Sequence, residues 1–190
     1  MNQKLVIGIT GASGVLFGIR LLETCWRLKV ETHLVLSEWG EKNIEIETDY
    51  SLGYLKQLCN YNHDINDLAA PISSGSFKHN GMVVLPCSIK TLGALANGYT
   101  ANLIIRAADV TLKEGRNLLL APRETPFHSI HLENMLKLSR MGAVIFPPVP
   151  SMYNRPENIN DLINHTVGRI LDRMGISNEL YSQWDGPVET

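Results

Sequence analysis

Lys4-Leu5-Val6-Ile7-Gly8-Ile9 is a short apolar run rich in β-branched residues. It breaks into Thr10-Gly11-Ala12-Ser13-Gly14, and a helical apolar spacing begins at once with Val15, Leu16, Ile19 and Leu22. A strand that passes through a tight glycine turn directly into a helix is half of a parallel β-α-β unit. Such a junction collects unpaired backbone N–H groups at the positive end of a helix dipole, which suits a phosphate. The plain alternative is a turn that uses glycine only for its access to positive φ.

The same pattern repeats along the chain. Strands are expected at 4–9, 32–37, 82–86, 117–121 and 143–146. Helices are expected at 14–29, 39–46, 51–60, 89–97, 101–114, 128–141 and 158–174, with an irregular stretch at 71–77. Met82-Val83-Val84-Leu85 and Asn117-Leu118-Leu119-Leu120 are nearly continuous apolar runs, as strands covered on both faces require. Strands alternating with helices imply a three-layer α/β sandwich, flavodoxin- or Rossmann-like, with a mostly parallel sheet and right-handed crossovers. A chain of 190 residues fits one domain spanning 1–190.

On such sheets ligands bind beyond the carboxyl ends of the strands. The expected strand exits are Thr10-Gly11-Ala12-Ser13, Ser37, Pro86-Cys87-Ser88, Pro122-Arg123-Glu124 and Pro147-Pro148, and four of these five carry hydroxyls or charges. The glycine spacing, Gly8, Gly11 and Gly14, lacks the G-x-G pair of a dinucleotide fingerprint, and no Walker lysine follows. A mononucleotide fits better than NAD.

Several residues bear on chemistry. In Pro86-Cys87-Ser88-Ile89-Lys90-Thr91, Ser88 either caps the following helix or joins Thr91 in holding the ligand. Cys87 has no identifiable base nearby, so burial suits it better than nucleophilic catalysis. Arg123, between Pro122 and Pro126, suits two-point binding of a phosphate or carboxylate. Arg106 and Lys113 lie two turns apart on one side of an amphipathic helix, as a solvated face or a cationic rim near the anion sites. Glu47 and Asp49 form an acidic cluster at a helix end, ordinarily solvated. His128, His131 and Glu133 have H-x-x-H spacing rather than that of one helical face, so no metal is expected.

The 17 basic and 19 acidic residues leave a net charge of −2, which argues against nucleic acid or an anionic membrane as main partner. No apolar run reaches membrane-spanning length, and the chain enters a strand where a signal peptide would stand. Three widely spaced cysteines, Cys25, Cys59 and Cys87, fit a reducing compartment, with the cytoplasm the default. Trp184, in the tail after Gly175, is expected to pack on a neighbour.

Gly11-Ala12-Ser13-Gly14, Glu47-Thr48-Asp49, Ser73-Ser74-Gly75-Ser76, Pro86-Cys87-Ser88, Arg106-Ala107-Ala108-Asp109-Val110, Leu112-Lys113-Glu114, Pro122-Arg123-Glu124-Thr125-Pro126, Ile130-His131-Leu132-Glu133-Asn134-Met135 and Tyr153-Asn154-Arg155-Pro156 together resemble the UbiX-like flavin prenyltransferases. The resemblance runs in order from the first strand to the last helix. It implies a flavodoxin-like fold, bound FMN, no metal, and a homo-oligomer, often a dodecamer, with sites at subunit interfaces. It further implies transfer of a dimethylallyl group from dimethylallyl monophosphate to N5 and C6 of reduced FMN, the product passing to a UbiD-like decarboxylase.

By resemblance, Gly11, Ala12, Ser13, Ser37, Ser88, Ile89, Lys90, Thr91 and Arg123 line the FMN site. Lys113, Tyr153, Arg169, Arg106 and Trp184 hold the prenyl phosphate, partly from neighbouring subunits. Glu47, Lys113, Glu124 and Ser13 serve the chemistry. Two departures are Gly115, where many relatives carry arginine, and Met152, where phenylalanine is frequent. The competing functions are an FMN-dependent cysteine-type decarboxylase, a non-catalytic flavin-carrier subunit of a hydroxyaryl-acid decarboxylase, and direct decarboxylation of aromatic acids. The first is disfavoured because Pro86-Cys87-Ser88-Ile89-Lys90-Thr91 stands in place of that family's P-A-S-A-N-T stretch.

Overall fold

The computed structural model describes residues 3–184 and 186. Six parallel strands make one sheet: β1 (Lys4–Ile9), β2 (Glu31–Leu36), β3 (Tyr61–His63), β4 (Gly81–Cys87), β5 (Asn117–Pro122) and β6 (Val144–Ile145), in spatial order β3-β2-β1-β4-β5-β6. The order reverses between β1 and β4, which places the binding crevice of a doubly wound sheet beyond their carboxyl ends. Setting aside the three-residue edge strand β3, the remaining order is the flavodoxin-like one.

The alternation of side chains along each strand explains the two cores. Leu5, Ile7 and Ile9 of β1, with Leu34, Leu36, Val83, Leu85 and Leu119, face one side. Helices α1 (Val15–Arg27), α2 (Glu38–Glu47), α3 (Leu52–Leu58) and α7 (Ile159–Arg173) supply that side's cover through residues such as Ile19, Leu22, Ile44, Leu55 and Val167. Val6, Val35, Met82, Val84, Leu118 and Leu120 face the other side. There they meet α4 (Ile89–Ala96), α5 (Leu103–Lys113) and α6 (Ser129–Arg140) through Leu92, Ile104, Ala108 and Leu138. Each such buried side chain contributes about 1.5–3 kcal/mol, so the sheet is held from both faces.

Helix ends differ from the expectation by one or two residues, and local chemistry explains where they fall. Gly14, at φ 99°, sits before α1 rather than in it. Ser51 caps α3, and Asn158 forms a capping box with Asp161 at the start of α7. Strand β3 was not expected. It is three residues long with a polar centre and pairs in parallel with His33–Val35 of β2, where His33 also stacks on Tyr61 and its Nδ1 lies 3.0 Å from Nε2 of His63. None of the helices among the described residues is long and apolar enough to cross a membrane.

Candidate functional site

The turns after β1, β2, β4 and β5 meet at the carboxyl edge of the sheet. A buried hydroxyl ties the two central ones. Thr10, 1 % exposed, donates from Oγ1 to the Pro86 carbonyl at 2.9 Å and accepts from the Ser88 backbone N–H at 2.7 Å. Gly11 is required for packing: a Cβ there would lie 2.3 Å from Cβ of Trp39, at the start of α2.

Three helices begin at this edge. Ser37 caps α2 by accepting from Gly40 N–H at 3.0 Å, which leaves the N–H groups of Glu38 and Trp39 open. Ser88 caps α4, accepting from Thr91 N–H at 3.3 Å, and its Oγ lies 3.0 Å from the Thr91 hydroxyl. The N–H groups of Ile89 and Lys90 remain open in the first turn of α4. So Ser88 is the cap of α4, and its capping leaves two N–H groups of that turn without a partner.

The N-terminus of α1 corrects the first expectation. The N–H groups of Gly14 and Val15 are not free for a phosphate, while those of Gly11, Ser13 and Leu16 make no hydrogen bond to a described residue. Glu47, the last residue of α2, accepts from Gly14 N–H at 2.8 Å and from Val15 N–H at 3.2 Å, both on Oε2. The chain supplies its own anion to that dipole. Glu47 is therefore a half-buried anchor and not a solvated helix-end acid, whereas Asp49 is exposed. Oε1 of Glu47 makes no hydrogen bond to a described residue.

Lys90 and Arg123 are exposed and pair with no described acid. Lys90 acts on Glu38 across the crevice, though Lys42, hydrogen-bonded at 2.9 Å, is the main cause of that carboxyl's lowered pKa. Arg123 N–H donates to the Cys87 carbonyl at 3.3 Å, which fixes the β5 exit beside that of β4. Glu124 follows, exposed, accepting from its neighbour Thr125 N–H at 2.9 Å. Open N–H groups on α2 and α4 beside two uncommitted cations fit the phosphate of a mononucleotide. Ala12 is buried, and Ser13 is exposed at the rim.

Cys87 is fully buried, and burial alone pushes its thiol up to about 12, as at Cys25. That supports packing over nucleophilic catalysis. In the folded protein at pH 8, Cys25 and Cys87 are expected to resist iodoacetamide for hours. Mass mapping of alkylated peptides checks this, and rapid labelling of Cys87 would restore it as a candidate nucleophile.

Of the two readings of Arg106 and Lys113, a solvated face or a cationic rim, Lys113 does not form a rim beside the anion sites of its own chain. Lys113 ends α5, four residues before Asn117, and Asn117 pairs with Gly81 at the amino ends of β5 and β4. A six-residue strand spans about 20 Å, so Lys113 lies at the opposite edge from Gly11 of the same chain. There Lys113 meets Glu114 at 2.5 Å. Arg106, two turns earlier near the start of α5, donates to the Ser73 carbonyl at 3.2 Å and to Asp109 at 3.3 Å. Arg116 donates to the carbonyls of Gly75 and Phe77 at 2.6 and 2.8 Å. The Ser73-Ser74-Gly75-Ser76 segment is thus a loop strapped to the cationic end of α5.

Tyr153 and Trp184 meet each other beside α7, the helix that carries Arg169. The Tyr153 hydroxyl lies 2.9 Å from Nε2 of buried His165, and its ring stands edge-on to Trp184 at 5.4 Å. Burial lowers the His165 pKa, and Arg169 adds to that. Trp184 therefore packs on its own chain, although 54 % of it stays exposed. His128 precedes α6 without capping it, its ring 3.4 Å from that of His131. Among the described residues no group of three or more His, Cys, Asp and Glu side chains is placed to hold a metal ion.

Residues 1–171 match the flavoprotein family model. The chain is 50 % identical over 187 residues to the flavin prenyltransferase UbiX of Thauera aromatica, covering 98 % of this chain and 96 % of that one. It is 52 % identical to the mitochondrial flavin prenyltransferase PAD1 of Saccharomyces cerevisiae, covering 97 % and 76 %. The chain belongs to the UbiX-like flavin prenyltransferases. The crystal structure of AnUbiX (PadA1) in complex with FMN and dimethylallyl pyrophosphate superposes with a TM-score of 0.96 at 50 % identity, covering 98 % of this chain and 99 % of that one. The dodecameric FMN-dependent Ubix-like decarboxylase of Escherichia coli O157:H7 gives 0.95 at 49 % identity, covering 97 % and 100 %. The peptidyl-cysteine decarboxylase EpiD, at 18 % identity and a TM-score of 0.64, shares the fold alone.

Sequence reading missed Thr10 and Trp39. Thr10 was visible only as a strand-exit hydroxyl, and the fit of Trp39 against Gly11 joins residues 28 positions apart.

Proposed function

We propose that this flavin prenyltransferase transfers the dimethylallyl group of dimethylallyl monophosphate to N5 and C6 of reduced FMN, and that its product serves a UbiD-like decarboxylase. The observation that carries the reading is the convergence, at the switch point of the sheet, of open helix N–H groups with uncommitted Lys90 and Arg123. It stands in a chain about half identical to named flavin prenyltransferases along nearly its full length.

Bound reduced FMN supplies the electron-rich ring that receives the prenyl group. Gly11, Ala12, Ser13, Ser37, Ser88, Ile89, Lys90, Thr91 and Arg123 hold it. Breaking the allylic C–O bond leaves charge on the departing phosphate, and Lys113, Arg123 and Arg169 stabilise that charge by position. Tyr153 and Trp184 form an aromatic wall that excludes water from the developing allyl cation. Ser13 and Glu124 sit at the rim to orient the phosphate. Glu47 takes the ring-carbon proton on Oε1 while Oε2 stays anchored to α1.

One chain alone does not bring Lys113 beside Gly11, and a neighbouring copy does so in the proposed assembly. Exposed Ile130, Leu132 and Leu136 of α6, with Met141 just beyond it, offer apolar surface for contacts between copies. We take the assembly to be a dodecamer of a single 1–190 domain, acting in the cytoplasm, with the unpaired cysteines as support for a reducing compartment.

Two measurements test the reading. After titration with FMN and exhaustive dialysis, the protein should keep its flavin absorbance; loss of flavin, or retention of NAD in its place, rejects it. Light scattering at micromolar concentration should give a particle several times the mass of the 21.2 kDa chain, and a fully active monomer rejects the composite site.

A further inference from the structure

The β1 and β4 exits each contribute a ligand-facing turn, yet they are separate in sequence and paired only as far as Gly8 and Val84. Beyond that point Thr10 is the described side chain that joins them. Its hydroxyl donates to the Pro86 carbonyl at 2.9 Å and accepts the Ser88 N–H at 2.7 Å, while its own N–H donates to the same carbonyl at 3.2 Å. Three hydrogen bonds therefore converge on one buried threonine at the point where the strand order reverses.

We propose that Thr10 is a positioning residue for flavin binding, acting through Ser88 and resting on the FMN reading above. The Ser88 N–H is the first orphan donor beside α4. With that donor consumed by Thr10, the Ser88 peptide has one orientation. Ser88 Oγ then meets Thr91, and the N–H groups of Ile89 and Lys90, which make no hydrogen bond to a described residue, are held at the exit of β4. Without the hydroxyl, the Ser88 peptide loses its acceptor, and a half-buried N–H turns toward the crevice to find one. The two turns then meet the ligand as separate loops, and ordering them falls on the binding step.

The test compares Thr10→Val with Thr10→Ser in the full oligomeric protein. Valine keeps the β-branched shape and removes the hydroxyl; serine restores it. FMN affinity, read from quenching of flavin fluorescence, is expected to weaken at least about tenfold in Thr10→Val and to return to within about threefold of the parent in Thr10→Ser. In turnover with saturating dimethylallyl monophosphate, Thr10→Val should raise KM for reduced FMN while kcat at saturating FMN stays within about threefold. A merely structural threonine would lower kcat through the folded fraction and leave KM alone. Should the valine variant fail to fold, Thr10→Cys serves, since a thiol is a weaker hydrogen-bonding group of similar size. Parent-like FMN affinity in folded Thr10→Val or Thr10→Cys overturns the proposal, as does failure of serine to rescue. Failure of the parent protein to bind FMN overturns the FMN reading itself.

Discussion

Lys113→Ala should bind FMN with parent affinity and prenylate it about 10²–10³-fold more slowly. The range is that for removing one preorganised group from charge that develops in a transition state. Its position is what makes the expectation sharp. Lys113 ends α5 at the amino edge of the sheet, while the flavin-binding turns lie at the carboxyl edge, so within one chain it cannot touch the ligand. Its effect therefore requires a second copy. Arg123→Ala damages the other edge. Each variant alone should be slow, and oligomers reassembled from a mixture of the two should regain activity, because some interfaces then carry both intact residues. Timed mass spectrometry of the flavin after anaerobic incubation reads all three samples. Parent turnover by Lys113→Ala would leave the residue a surface charge paired with Glu114. Slow turnover without recovery on mixing would place the whole site inside one chain.

Glu47 is expected to separate a structural role from a chemical one. Its Oε2 accepts the N–H groups of the Gly14 cap and of Val15, the first residue of α1, and Oε1 makes no hydrogen bond to a described residue. Glu47→Gln keeps an oxygen for the cap and loses the negative charge at the dipole, a cost of about 0.3–1 kcal/mol. Glu47→Ala loses the cap as well, about 0.5–2 kcal/mol. Urea unfolding should rank the three proteins in that order. Prenylation should fall about 10²–10⁴-fold in both variants, because neither carries a group able to accept the proton from the ring carbon. The near-intact stability of Glu47→Gln then isolates the chemistry. If Glu47→Gln turns over at the parent rate, Glu47 is only the cap of α1. If it loses FMN, the residue serves the shape of the site.

The glycine turn and the buried strands were legible in the sequence because both depend on neighbours along the chain. The apolar runs at 82–85 and 117–120 carry their own signal of two-sided burial, and Gly14 carries its own need for positive φ. Ser88 was legible as a cap for the same local reason, since its partner Thr91 is three residues away. Strand β3 was not. Tyr61-Asn62-His63 is too short and too polar to show a period, and its strand state comes from pairing with β2, 28 residues earlier, beside which the His33 side chain also meets it.

The chemistry of the site divides along the same line. The residue types needed to hold a phosphate, and their place at strand exits, could be read from order alone, because a parallel α/β chain returns every strand exit to one edge. Which helix N-terminus remains open could not. Glu47 closes α1 from 33 positions away, and only the packing of the end of α2 against the start of α1 brings the carboxylate there. Likewise the choice for Lys113 between a solvated face and a rim beside the anion sites stayed open, since helical spacing states which face it shares with Arg106 but not which end of the sheet the helix reaches. The sequence by itself determined the layered fold, the binding edge and the class of ligand, since these follow from periodicity and turn chemistry. Tertiary structure decided which donors stay free, which acid is anchored and which cations lie away from the binding edge of their own chain, because each of these depends on segments that only the folded sheet brings together.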